Sequence, residues 1–282
     1  MKDHYNHLYL SPHFDDVALS CGGQIALRTA AGQSVLVVTV TAAEPPADFP
    51  SETVHSLHRR WADSLAAEGV TPADAAAGIV ARRRAEDRAA FAMLGADVLH
   101  LPFLDCIYRA GPDGLPLYRG PMDMFGAPVL ADEGTTDALA EAFAALPPAG
   151  RVYLPLGVGH HIDHGATRRA GERVFAAPFY YEDYPYTMAP GALEEVLPPE
   201  ARDGWANETI WLTEAALAAK TTAVLAYQSQ LSSFFAGHDD LARKLREEGQ
   251  RAMIAALDAM LGGDEPPPAG FVGGETLWRR SR

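Results

Sequence analysis

The chain has 282 residues and only two cysteines, Cys21 and Cys106. Thiols this few and this far apart exclude a disulfide framework and a cysteine-based structural zinc knuckle, so both are expected to be reduced and buried. No apolar run approaches the roughly 18 residues that a membrane span needs. The opening Met1-Lys2-Asp3-His4-Tyr5 carries no signal-peptide pattern, so a cytoplasmic location is expected. Positive charge is also scarce: 23 Lys and Arg against 37 Asp and Glu give a net charge of −14. That balance argues against nucleic acid and anionic membranes as general partners, because both would be repelled. A local basic patch can still take a phosphate. There is no G-x-G-x-x-G nucleotide fingerprint, no internal repeat and no interdomain linker.

Hydrophobic residues are plentiful, at 48%, which suits a sizeable core. One domain over residues 1–282 is expected. Within it, segment 106–130 covers a pocket and residues 213–282 form a helical C-terminal part. The polar residues are less evenly spread. Leu8-Tyr9-Leu10-Ser11 reads as a buried strand that ends abruptly in Pro12-His13-Phe14-Asp15-Asp16. Open α/β sheets hold their ligands just past the carboxyl ends of strands. Charge there is costly to bury unless it is paired or bound to a metal. Imidazole and carboxylate are typical ligands of a divalent metal such as zinc. His13 and Asp16 can meet at one centre, which leaves Asp15 beside it, free to take a proton from a metal-acidified water. A third ligand and an oxyanion stabiliser must come from elsewhere.

Val17 to Leu27 has helical spacing, with Asp15 or Asp16 positioned to cap it and Ala31-Gly32 to end it. Gly22 and Gly23 weaken a helix, so they imply close approach to a strand or a ligand. Ser34 to Val40 is a strand nearly continuous in β-branched residues, as in a parallel sheet covered on both faces. Glu44 follows it, close enough to the strand end to reach the site. Helices are predicted over residues 55–70, from a start at Thr71-Pro72-Ala73-Asp74, and over Ile79–Leu94. Val98 to Asp105 is predicted as a strand that again ends in an acid. Segment 106–130, rich in Gly, Pro, Tyr and Arg, is long enough for a functional lid. A helix over Thr136–Leu146 and a strand over Arg151–Leu156 follow.

The second cluster comes after that strand: Gly157-Val158-Gly159-His160-His161-Ile162-Asp163-His164-Gly165. One of its three histidines can supply the missing ligand. A second, held by Asp163, can face developing negative charge as an imidazolium. Spacing alone does not separate these roles. A helix over Ala166–Val174 follows, then Pro178 to Tyr186, whose aromatic and acidic content suits a sugar-binding wall or a core strand. A strand over Glu208–Leu212, a helix from a Thr213 cap to about Gln230, a long helix over 239–262 and a turn over Gly263–Pro268 complete the order. The tail from Glu275 to Arg280 docks on the body.

The two clusters together, with Cys21-Gly22-Gly23, Arg83-Arg84-Ala85-Glu86, Leu94-Gly95 and the stretch from Lys220 to Gln230, resemble the PIG-L (LmbE-like) family of zinc-dependent de-N-acetylases. The likeness spans most of residues 8–231. It implies an α/β class: a Rossmann-like three-layer α/β/α fold with a mainly parallel sheet. It implies Zn2+ held by His13, Asp16 and His164. It gives Asp15 as the base that activates a zinc-bound water, and His161 as the oxyanion stabiliser oriented by Asp163. Arg83 stands where the family places a sugar- or phosphate-binding arginine, and Asp105 where a substrate hydroxyl can be held. The implied reaction removes the N-acetyl group of an N-acetylglucosamine-type amino sugar or glycoconjugate, a small-molecule substrate.

Departures are local. Phe14 replaces a usual Pro and Val17 a usual Glu. Gly159 stands where some members carry a tyrosine proposed as general acid, and Tyr227 where many have a histidine. These leave the metal ligands in place and bear on the substrate. An amidase acting on a bulkier N-acyl conjugate is the nearest alternative. A metal- or sugar-binding protein without catalysis is another, though it has no need of a free Asp15. A homo-oligomer is compatible with the sequence.

Overall fold

The computed structural model describes residues 1–46, 49–67, 78–261 and 269–281. Seven strands form one sheet in the order β3-β2-β1-β4-β5-β7-β6. They are β1 (Tyr5–Ser11), β2 (Val35–Thr39), β3 (Asp97–His100), β4 (Ala149–Pro155), β5 (Phe179–Tyr181), β6 (Trp205–Thr213) and β7 (Phe271–Arg280). The first five pair in parallel and the last two antiparallel. The mainly parallel α/β sheet expected from the sequence is present.

Alternation along the central strands explains the three layers. In β2, Val35 and Val37 enter one apolar core, while Leu36 and Val38 enter another on the opposite face. Tyr9 and Leu8 divide in the same way on β1. A strand buried on both faces has no polar side to alternate, which is why β2 reads as an unbroken apolar run. The first core is closed by helix α1 (Asp16–Ala30), helix α2 (Glu52–Ala67), helix α3 (Ile79–Met93) and residues from Glu214–Val224 and His238–Leu261. The second is closed by helix α4 (Gly134–Ala144) and helix α5 (Ile162–Val174), through Leu139, Phe143, Ala166 and Ala170.

Gly22 and Gly23 mark close approach to protein rather than to a ligand. A Cβ on Gly22 would sit 3.0 Å from Lys220 Cγ, and one on Gly23 2.7 Å from a Leu212 methyl. Lys220 is buried and donates to Glu275 at 2.8 Å, and Glu275 also accepts from Gly23 N and Gln24 N. Both cysteines are free and buried.

Several boundaries differ from expectation. β3 ends at His100, and Asp105 instead caps a 3-10 turn over Cys106–Tyr108. The helix capped by Thr213 stops at Val224. Helix α2 spans Glu52–Ala67, while the end of the predicted 55–70 helix, the Thr71 start and the Gly263–Pro268 turn lie outside the described residues. The tail is no appendage: β7 pairs with both β5 and β6. The aromatic segment after residue 178 is core, with Tyr180, Tyr181 and Tyr184 buried. Among the described residues no helix is long and apolar enough to cross a membrane.

His7, on β1, carries a testable consequence. Its ring lies between Tyr153 Oη at 2.9 Å and Gln33 Oε1 at 3.0 Å. Burial, with help from Arg28, lowers its pKa to about 4. The unfolded chain therefore binds a proton between about pH 6.5 and 4 that the folded chain refuses. This part of the stability is complete above pH 6.5 and is lost as the pH falls towards 4, by up to about 3 kcal/mol. Urea denaturation at pH 7 and pH 4.5 is expected to show a smaller acid loss for His7→Gln than for the native chain. Equal losses would remove His7 as the cause.

Candidate metal centre

The switch in strand order falls between β1 and β4, whose following connections run to opposite sides of the sheet. A crevice opens at the carboxyl ends of such a pair, and both polar clusters lie there. After β1 the chain turns at Pro12, whose carbonyl accepts from Thr41 N at 3.0 Å and Thr41 Oγ1 at 2.7 Å. Ser11 Oγ donates to His13 O at 2.6 Å and accepts from Val17 N at 3.2 Å. These bonds fix the turn that presents His13, Asp15 and Asp16.

After β4, Gly157, Gly159 and His160 all adopt positive φ. This tight loop delivers His161 as the N-cap of α5, so Asp163 and His164 stand in the helix's first turn rather than in a loop. The helix begins four residues earlier than its apolar spacing indicates. His160 points away, 3.5 Å from Glu195. The rings of His13, His161 and His164 meet with centroids 4.6–5.3 Å apart.

Asp16 Oδ2 lies 3.1 Å from His13 Nδ1 and 3.3 Å from His164 Nε2. His164 Nδ1 meets Asp183 Oδ1 at 2.7 Å, and the same carboxylate accepts from Gly157 N and Val158 N. Asp183 therefore holds the proton on Nδ1 and turns the lone pair of Nε2 into the site, the usual support for a metal-bound imidazole. That Nε2 is buried and has no hydrogen-bond partner, since its contact with Asp16 is close but misaligned. An orphaned imidazole nitrogen beside a second imidazole and a carboxylate fits a divalent cation.

His161 also stands close enough to join a set with His13 and His164. Its Nδ1, however, accepts from Asp163 N at 3.3 Å. The ring proton then sits on Nε2, which makes that atom a donor rather than a ligand.

Asp163 does not orient His161 through its side chain, contrary to the expectation. Two residues apart on a helix, their side chains diverge. The Asp163 carboxylate instead meets His13 Nε2 at 3.1 Å, Cys106 N at 2.9 Å and the Arg109 guanidinium. Nor is His161 an imidazolium here. Burial, then the neighbouring His13, hold it well below its ordinary value.

Burial is the largest single influence on His13 and His164 and opposes their charge, but the surrounding carboxylates together outweigh it, Asp16 first, with Asp105 and Asp163 at His13 and Asp183 at His164; His164 is raised to about 9. Asp15 is 6% exposed, and its carboxylate makes no hydrogen bond to another side chain among the described residues. Burial and then Asp16 push it up to about 6, against Arg83 and His13. The Arg83 guanidinium packs between the rings of Phe14 and Trp61, 5.0 and 4.6 Å from their centroids. Asp105 Oδ2 lies 3.8 Å from His13 Nε2. Glu44 does not reach the centre: Arg84 holds it at 2.6 Å.

Sequence reasoning missed four contributors. Asp183 is one. Arg109, from the 106–130 segment, bridges Asp163 and Asp132 and pins that segment against the site. Phe125 forms a bridge with His161 and packs edge-on against its ring. Tyr186 packs edge-on against His164 at 5.6 Å. A Cβ on Gly159 would strike the Tyr186 ring at 2.6 Å, so the glycine at 159 and this ring share one volume.

Residues 8–175 match the family model described as GlcNAc-PI de-N-acetylase. The chain is similar to a 2'-N-acetylparomamine deacetylase of Niallia circulans, 31% identical over 237 residues, covering 81% of this chain and 82% of that one. Its counterpart of the same name in Streptomyces fradiae is 29% identical, covering 64% of this chain and 57% of that one. Among solved structures, the zinc-inhibited form of teicoplanin deacetylase superposes with a TM-score of 0.71 at 26% identity, covering 98% of each chain.

Proposed function

The chain belongs to the GlcNAc-PI de-N-acetylase (PIG-L) family and is a hydrolytic de-N-acetylase, and from that membership we propose a zinc-dependent reaction on an N-acetylated amino sugar or its glycoconjugate. The observation that carries the mechanism is Asp15: a buried carboxylate, free of side-chain partners, raised to about 6 beside two imidazoles and Asp16. His13, Asp16 and His164 would hold the metal, with Asp163 and Asp183 fixing the two rings. When bound, the zinc polarises the acetamide carbonyl and acidifies water. Asp15 takes the proton of the attacking water, as a base poised near neutrality can. His161, neutral and donating from Nε2, faces the oxygen on which negative charge grows. Arg83, close enough to Asp15 to act on its charge, and Asp105, 3.8 Å from His13, are the residues proposed to meet the sugar.

Acetyl is favoured over a bulkier acyl group by the space beside Asp15. A narrow recess there is lined by Leu19, Val224, Leu231, Phe234 and Phe235, with Tyr227 and Gln230 as its polar members. A small, mainly apolar recess suits the methyl of an acetyl group better than a longer acyl chain. One added methylene is expected to lower kcat/KM roughly 10-fold or more. The test is acid release from matched N-acetyl and N-propionyl amino sugars, with metal content measured on the same protein. Equal rates, or larger acyl groups preferred, would favour the bulky-conjugate amidase. A chain that holds no metal when kept from chelators would end the zinc reading.

The raised imidazoles make a second prediction. A metal must displace the protons held on His13 and His164, and these persist to about pH 9 on His164. Zinc uptake is therefore expected to release protons, and its apparent affinity to rise with pH between 6 and about 9. Competition with a chromophoric chelator at pH 6, 7 and 8 measures this. An affinity flat in pH would show that the ligands carry no protons to displace.

A further inference from the structure

Of the ten tyrosines in the chain, eight have a hydroxyl engaged with a side chain or a carbonyl. A phenol packed against protein usually finds such a partner. Tyr184 and Tyr186 have none among the described residues. Tyr184 lines a small separate cavity with Lys220 and Glu275. Tyr186, partly buried, stands at the metal centre.

Its ring is one corner of a closed quartet. His161 meets His164 with centroids 5.3 Å apart, His164 meets Tyr186 at 5.6 Å, Tyr186 meets Phe125 at 6.1 Å, and Phe125 meets His161 at 5.4 Å. His161 and Tyr186 are therefore opposite corners, and both touch the same metal-facing imidazole and the same ring of segment 106–130. The backbone holds Tyr186 there. Asp183, whose carboxylate fixes His164, accepts at its carbonyl from Thr187 N at 3.2 Å, and Ala189 N donates to Tyr186 O at 3.1 Å. Gly159 takes the positive φ of its loop and also leaves the volume that the ring fills, since a Cβ there would lie 2.6 Å from Tyr186 Cγ and 2.8 Å from its Cβ. That contact is with the root of the side chain, which cannot swing aside and stay in the quartet.

Burial first, then Asp16, Asp15, Asp183 and Asp105, keep the phenol protonated. It is a neutral O–H donor whose acceptor must arrive with the substrate. His164, the corner between the two donors, aims Nε2 at the metal position, so the acetamide carbonyl arrives beside it. His161 is otherwise the one protein donor given to the oxygen on which charge grows, and oxyanion sites commonly pair two.

We propose that Tyr186 Oη is the second donor to that oxygen, acting from the corner opposite His161 Nε2; this rests on the deacetylation reading of the site. The test is Tyr186→Phe, which keeps the ring contacts and removes only the hydroxyl. Metal content and Tm are expected to match the native chain. The kcat for acetate release is expected to fall roughly 10²-fold with KM little changed, because the bond strengthens only as charge develops. A methylphosphonamidate analogue of the acetamide, whose tetrahedral oxygens stand in for the oxyanion, is expected to bind the variant more weakly by a similar factor, while the free amino sugar binds both alike. A kcat within about threefold of an active native enzyme would overturn the assignment and leave the deacetylation reading intact. A raised KM with kcat retained would also overturn it, since the hydroxyl would then be a ground-state contact. A native, metal-loaded chain that releases no acetate would end the reading itself and this assignment with it.

Discussion

Asp15→Asn is expected to keep about the native metal content while releasing acetate about 10³-fold more slowly, within the range general-base removal covers. The two side chains are nearly isosteric, and Asp15 makes no side-chain hydrogen bond among the described residues whose loss would disturb the turn. The change removes a charge that burial and Asp16 already disfavour, so stability is expected to hold or rise. The loss should fall on kcat with KM little changed, because the proton is transferred only in the transition state. The acid limb of the pH profile should go with it. In the native enzyme the base works when ionised, so activity is present above its pKa and lost as the pH falls through it. That midpoint lies at or below about 6, since a bound cation favours the carboxylate further. A variant within about tenfold of native activity would transfer the base to another residue, with His161 the nearest candidate.

The features that make Asp15 a candidate were legible in the sequence because they oppose the local trend. A run of buried apolar residues that ends in His and two Asp has no packing reason to do so, and the same holds for the histidines after β4. The sheet was legible for the same reason, since β1 and β2 read as apolar on both faces. What stayed hidden was contributed from a distance. Asp183 belongs to a segment whose polar exit looks like any loop, and only the fold brings it under His164. Arg109 lies in an aperiodic stretch where one arginine reads like another. The orientation of Asp163 is not legible because the apolar helical spacing begins only at Ala166, whereas α5 begins at Ile162. An acid two residues past His161 is a first-turn residue once His161 is the cap. β7 is hard to recognise as a strand because Gly273-Gly274 is poor strand sequence. The glycines are there for contact: a Cβ on Gly274 would lie 2.5 Å from Thr209 Cγ2, and one on Gly273 3.0 Å from the backbone of Gly249.

Arg109→Leu is expected to destabilise the protein by about 3–5 kcal/mol, the cost of leaving a buried ion partner unpaired. Arg109 is 8% exposed and bonds Asp132 at 2.7 Å, the Leu104 carbonyl and Asp163, which is itself 1% exposed. Without the guanidinium, two buried carboxylates face each other with only the Tyr118 hydroxyl, the Thr135 hydroxyl, the Cys106 amide and His13 to solvate them. Burial works against the ionised Asp163, and Arg109 is the largest influence holding its pKa well below the usual range. A folded pKa depressed in this way contributes stability above the unfolded carboxyl pKa, and that stability is lost as the pH falls through the folded one. The deficit of Arg109→Leu should therefore be greatest near neutrality and shrink in acid, where the freed carboxyls can protonate. Arg109→Lys should recover only part of it, because one ammonium cannot reproduce a fork that spans two carboxylates and a carbonyl. Metal affinity is expected to fall as well, since Asp163 also holds the His13 ring. Denaturant titrations at pH 5 and pH 7.5 measure the first effect and chelator competition the second. A loss below about 1 kcal/mol at neutral pH would put this bridge with exposed surface pairs, and segment 106–130 would then need another anchor.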